Sequence, residues 1–201
     1  MDTTPFLHAT PGAAPWAETV LLVDADHLDR VAFDLIVNFE RMLERRIPTG
    51  DLCRWLDCAV LDGGLRPGDN EVQAIFLHSA AKTGLSHLAP GRFADELDGK
   101  AFRDNLGEFS LLSFPVEEVV TPEDFFAQAL ATLADAAEVK RLVVVADMDR
   151  CGADVRRIAA KTDGKDITLL TMEPAAGSGF RQELLGYSLM NALGIRADEL
   201  R

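Results

Sequence analysis

Cysteine is scarce in this chain. Cys53, Cys58 and Cys151 are the three among 201 residues, an odd number with no metal-binding spacing. That rules out a fully paired disulfide framework and a cysteine-built zinc site, and it fits a reduced, cytoplasmic chain. Cys53 and Cys58 stand five apart on an expected helix, so they do not share a face. No apolar run approaches the ~20 residues that cross a bilayer. The opening MDTTPFLHATPGAAPWAE starts acidic and proline-rich, without the basic start and apolar stretch of an export signal. Positive charge is also in the minority: 20 Lys and Arg against 33 Asp and Glu leave a net charge of −13. An excess of that size disfavours general attraction to nucleic-acid phosphates or an anionic membrane. A metal ion can still neutralise a local acidic site. There is no solenoid repeat and no complete dinucleotide-binding fingerprint after the first apolar run.

What is present is alternation. Residues 1–18 read as a flexible lead-in, and 19–201 as a single α/β domain. Thr19–Val23, Val72–Leu77, Phe109–Phe114, Leu142–Ala146 and Ile167–Met172 are apolar runs of strand length, suited to strands buried on both faces. Between them, Leu28, Val31, Ala32, Leu35 and Phe39 recur at helical spacing until Pro48. Asp51 opens a second helix carrying Leu52, Trp55, Leu56 and Ala59, closed by Gly63-Gly64. A short helix is expected around Ala94–Phe102, because the polar stretch there is long for a bare loop. Thr121-Pro122-Glu123-Asp124 has the composition of a helix start, with a cap, a proline in the first turn and acids at the positive end of the dipole. Helices follow the fourth and fifth strands as well. The expected fold is a doubly wound three-layer α/β sandwich on a mostly parallel five-stranded sheet, ordered 3-2-1-4-5.

Two strands end alike. VLLVDADHLDR runs from Val20 to Arg30, and RLVVVADMDR from Arg141 to Arg150. In the order 3-2-1-4-5 these strand ends flank the point where the winding reverses, the usual place for a crevice. If extended geometry persists, Asp24 and Asp26 point one way, and so do Asp147 and Asp149. With Glu123 or Asp124 from the helix before strand 4, the carboxylates would repel one another, and Mg²⁺ or Mn²⁺ would relieve that repulsion. The rival reading is plainer: Asp26 caps the first helix, Asp149 caps the fourth-strand helix, and Arg30 and Arg150 pair with those same acids. His78, His87 and His8 lack a partner ligand at helical spacing and read as structural or exposed. Gly177-Ser178-Gly179 reads as a turn. Arg41, Arg45 and Arg46 form a small basic patch, and Cys151 has no neighbouring His base.

The acid after the first strand, the acid opening the helix before strand 4, and the strand-Asp-x-Asp resemble the NYN and PIN-like nuclease domains over roughly residues 19–172. That resemblance implies a metal-dependent phosphodiesterase acting on RNA. Asp24, Asp147 and Asp149 would be its catalytic acids. Asp24, Asp26, Asp124, Asp147 and Asp149 would hold Mg²⁺ or Mn²⁺, and His27, Arg30 and Arg150 would contact substrate. His27 stands where NYN domains carry Asn, and Ala146 where a Gly commonly precedes the acid. LLVDADHL is also similar to the opening of haloacid-dehalogenase-like phosphatases, which would make Asp24 a nucleophile, with Ser79 and Lys140 on the phosphate. A third reading needs no catalysis: an α/β interaction module, homodimeric, with no membrane partner.

Overall fold

In the computed structural model, residues 16–116 and 119–200 are described. A seven-stranded sheet in the order β5-β6-β3-β1-β7-β8-β9 forms the middle layer. Its centre is β1 (Thr19–Asp24), flanked by β3 (Asn70–Ser79) and β7 (Arg141–Val145), both parallel to it. Outside these lie β6 (Gly107–Val116) and β8 (Asp166–Thr171), again parallel. The edges are β5 (Lys100–Arg103), antiparallel to β6, and β9 (Arg181–Leu184), parallel to β8. A separate pair joins β2 (Gly50–Asp51) to β4 (Leu88–Ala89).

Side-chain alternation along the strands divides the core in two. Leu21 and Val23 of β1, Phe76 of β3 and Val143 of β7 pack with α1 (Ala25–Leu43), α2 (Leu52–Asp62) and α5 (Leu185–Ala192). Val20, Leu22, Ile75, Leu142 and Val144 point the other way, onto α3 (Pro122–Asp135) and α4 (Met148–Lys161). Val20 to Val23 have no exposed surface at all. Each such side chain contributes ~1.5–3 kcal/mol of burial, drawn from helices on both faces. This explains why Val20–Val23, Ala74–Leu77 and Leu142–Val145 are unbroken apolar runs, with no polar alternation.

The sheet therefore exceeds the expected five strands and is mixed. Both extra strands, KAFR and RQEL, are polar edge segments. The expected helix around Ala94–Phe102 is instead one π-helical turn, Phe93–Leu97, followed by β5. Of the expected flexible lead-in, residues 1–15 lie outside those described. Trp16, by contrast, is buried in the α3/α4 core, and the Glu18 carbonyl accepts the N–H groups of Lys140 and Arg141. Among the described residues, no helix is long and apolar enough to cross a membrane.

Candidate functional site

Parallel register brings the two acidic strand ends to one rim. Val23 lies opposite Val145, so Asp24 and Asp147 leave neighbouring strands at nearly the same level. Neither chain stays extended beyond that point. α1 begins at Ala25 and α4 at Met148. Asp24 caps α1 by accepting the His27 N–H at 3.0 Å, and Asp147 caps α4 by accepting the Asp149 N–H at 3.2 Å. The caps are thus the first acids of each pair, and the expected capping by Asp26 and Asp149 is incorrect. The chain turns helical two residues early because the first acid already satisfies an N–H of the opening turn.

Helical geometry also separates Asp24 from Asp26. Asp26 turns toward the end of β3, where its Oδ2 accepts the Ser79 N–H at 3.0 Å and its Oδ1 lies 3.3 Å from Lys82 Nζ. The two side chains do not share a direction, as extended geometry would have required. Asp149 and Asp124 are exposed, in the first turns of α4 and α3. Glu123 does approach the rim, ion-paired to Arg150. Arg150 therefore does not serve Asp149, and Arg30 does not serve Asp26.

Arg30 instead reaches across strands. Its Nη2 donates to Asp147 Oδ2 at 2.7 Å and to His27 Nδ1 at 2.9 Å. A guanidinium only donates, so His27 Nδ1 accepts and the neutral ring keeps its proton on Nε2. Burial lowers the His27 pKa; Asp24 and Asp147 oppose that, and Arg30 adds to it. Burial pushes the Asp147 carboxyl up, but the Arg30 hydrogen bond, the electrostatic pull of His27 and Arg30 and the Asp149 N–H outweigh it and hold the pKa below normal. Asp24 goes the other way. Burial raises its pKa, the His27 N–H and ring oppose, and the charges of Asp26 and Asp147 raise it further. Among the described residues the Asp24 side chain has no cation partner. A raised acid contributes stability below its unfolded pKa and loses it as pH rises through the folded value. Asp24→Asn keeps the cap and deletes the charge, so it is expected to melt at or above the wild-type temperature at pH 7 and to flatten the melting-temperature profile above pH 4, measured by circular dichroism.

Beside this cluster lies a crevice of about 200 Å³ lined by His27, Asp147, Asp149, Thr171 and Glu173, among others. It opens between the carboxyl ends of β7 and β8, one strand away from the expected β1/β7 position. Thr171 and Glu173 carried no signal in the sequence beyond their place at the end of an apolar run and just after it. The Arg30–Asp147 pair could have been found only by knowing the strand neighbours.

A family profile described as a family of unknown function, DUF6621, matches residues 13–200. The chain belongs to DUF6621. The DUF6621 match begins upstream of β1 and takes in Trp16, in keeping with the burial of that side chain. No curated protein and no solved structure matches the chain.

Other candidates of this DUF6621 chain make contacts of their own, and His8 lies outside the described residues. His78 stacks on Phe93 with ring centroids 3.7 Å apart, and His87 packs on Asp29, whose Oδ1 accepts the N–H groups of Ser86 and His87. Arg45 holds Glu199 and Arg46 holds Glu40, which uses up most of the small basic patch. Lys140 immediately precedes β7, at the opposite end of the sheet from the rim, and its Nζ donates to the Ala137 carbonyl at 2.8 Å. It is therefore not available to a phosphate on Asp24. Cys151 is buried, with its thiol pushed up to about 12 by burial and by Asp24, Glu123 and Asp147, the reverse of an activated nucleophile.

Several of these acids already have partners within the chain. Asp147 is committed to Arg30 and to its own helix, Asp26 to Ser79 and Lys82, and Glu123 to Arg150. Among the described residues, no group of three or more His, Cys, Asp or Glu is placed to hold a metal.

Proposed function

We propose that this DUF6621 chain is a cytoplasmic α/β interaction module that works by binding, as a homodimer, and that its acidic rim is structural. The observation that carries this reading is the Arg30 guanidinium on Asp147 at 2.7 Å. It supplies from within the chain the positive charge that a clustered acid would otherwise take from a metal. The net charge of −13 agrees with a partner other than nucleic acid. Surface for association comes from Phe33 and Val37, exposed one helical turn apart on α1, and from Leu184 and Tyr187 around the start of α5.

A second reading, the Mg²⁺- or Mn²⁺-dependent phosphodiesterase of NYN/PIN-like, Rossmann-like type acting on RNA, is favoured by one observation. Asp24 has no cation partner among the described residues, and its burial, with the charges of Asp26 and Asp147 after it, raises its pKa, as is frequent at functional sites. Helix α1 starting directly after Asp24 also suits that family better than the phosphatases, whose first acid is followed by a loop.

Titration calorimetry with Mn²⁺, single-stranded RNA cleavage and sedimentation separate the two. The module reading expects no heat of binding at millimolar Mn²⁺, no cleavage, and a dimer. Mn²⁺ binding and RNA cleavage that both disappear in Asp24→Asn and Asp147→Asn would replace it with the nuclease.

A further inference from the structure

The crevice between the carboxyl ends of β7 and β8 has acids that the rim does not use. On one side Arg30 already neutralises Asp147. Asp149, in the first turn of α4, and Glu173, just past β8, also line the crevice and are exposed, and among the described residues neither is ion-paired. Arg150, next to Asp149 in the chain, is spent on Glu123, and Arg181, the first base after Glu173, on Asp166.

Thr171 completes the polar lining. Leu170 packs with α1, α2 and α5, so alternation turns Thr171 toward α4, whose first turn forms the facing wall. Thr171 is 4% exposed, and among the described residues its buried Oγ1 has no hydrogen-bond partner. Buried hydroxyls are ordinarily hydrogen-bonded, so this oxygen is left for an occupant of the crevice. The apolar part of the lining is Ala146, Met148 and Met172. The Met172 thioether lies over Gly186, where a Cβ would stand 3.6 Å from its Cε, and apolar surface continues there to exposed Leu184 and Tyr187.

Size and charge narrow the occupant. At about 200 Å³ the crevice is below the roughly 300–1,000 Å³ of pockets for drug-sized ligands, which leaves room for one side chain. Its acids repel phosphate and attract a cation. Three separate acceptors suit a compact ammonium with three donors better than a planar guanidinium fork. A four-carbon stem suits the two methionines.

We propose that the crevice seats a lysine side chain of a partner protein, its ammonium held by Asp149, Glu173 and Thr171 and its stem laid along Met148 and Met172. Apolar residues beside that lysine meet Leu184 and Tyr187. The site rests on the reading of the chain as a binding module and names the chemistry of its partner, a basic and apolar segment complementary to a chain of net charge −13.

The test is a ¹H–¹⁵N NMR titration of the intact chain with acetyl-Leu-Lys-Leu-amide, its Nζ-acetylated form and n-butylammonium. The lysine tripeptide is expected to shift the Asp149 and 171–173 amides saturably, and the acetylated form, which lacks the charge, to leave them in place. Changing Asp149→Asn and Glu173→Gln together should weaken binding roughly fivefold or more. Thr171→Val, which keeps the shape and removes the hydroxyl, should weaken it about threefold. Asp163→Asn, at an exposed acid before β8, should bind as the wild type does. No saturable shift, equal binding of the acetylated tripeptide, or full affinity in the double variant would overturn the site. Butylammonium binding as tightly as the tripeptide would overturn the protein partner in favour of a free amine. The acetylated tripeptide decides the matter even if a variant fails to fold. The module reading fails separately, by Mn²⁺-dependent RNA cleavage, which this titration does not report.

Discussion

Gly107→Ala is expected to cost about 3 kcal/mol or more of folding stability. Gly107 begins β6 at φ +138°, a backbone conformation that side-chain-bearing residues rarely adopt. A Cβ there would sit 2.2 Å from the Asn70 carbonyl oxygen and 2.8 Å from its carbon. Both are main-chain atoms of the paired residue in β3, so no side chain can swing aside. Relief requires β3 and β6 to part at the start of their ten-residue pairing, where Asn70 Nδ2 also holds the Leu106 carbonyl at 2.6 Å. Gly164→Ala is the control: its φ is +74°, but a Cβ would meet nothing within 4 Å. It should cost only about 1 kcal/mol, the backbone preference alone. Urea unfolding of both variants measures the difference, and equal losses would show that the close approach to Asn70 is not what matters.

How much of this fold was legible depended on what each strand must bury. β1, β7, β8 and the Ala74–Leu77 stretch of β3 are covered on both faces, so their sequences are nearly all apolar and stand out, whereas β6 is polar in part, with Glu108 exposed and Ser110 and Ser113 half-buried. β5 and β9 lie at the edges. KAFR and RQEL carry charges that keep an edge from pairing with another chain, and charge is what a search for apolar runs discards. The Phe93–Leu97 turn failed for a related reason. Phe93 and Leu97 are buried at a helical spacing, yet Arg92 and Asp98 on either side are extended, so the turn never propagates. Helix starts read well where a cap precedes an apolar period, as at Asp51 and Thr121, whose side chains accept the Arg54 and Asp124 N–H groups.

At the rim the structure brings some of the residues singled out in the sequence together and gives several of them partners other than those expected. Asp24, Asp147, His27 and Arg30 do come together. Their roles turn on a two-residue difference in where the helix begins. An extended Asp-x-Asp aims both acids at one point, whereas a helix starting between them makes the first a cap and sends the second a different way. The two continuations have the same local sequence, and only the tertiary structure distinguishes them. Arg30 shows the same limit. Spacing along α1 offered it Asp26, four residues back, and the parallel register of β1 and β7 gave it Asp147, 117 residues away.

That register makes Arg30→Ala the most informative change at the rim. The Asp147 side chain is 9% exposed and the Arg30 side chain 51% exposed, so removing the guanidinium leaves a nearly buried carboxylate with only its cap and His27. A charge-assisted hydrogen bond of this kind contributes about 1.5–3 kcal/mol, and the solvent around Arg30 reduces that to about 1–2 kcal/mol. The loss should depend on Asp147 ionisation. A carboxyl held low in the folded state contributes stability above its unfolded pKa and loses it as pH falls through the folded value. The gap between wild type and Arg30→Ala, measured by urea unfolding, should therefore close as the pH falls toward 2. It should also close at pH 7 in an Asp147→Asn background, where the cap persists and the charge does not. If Arg30→Ala costs the same with and without the Asp147 charge, then the guanidinium stabilises by packing alone, and the internal cation on which the module reading rests is absent.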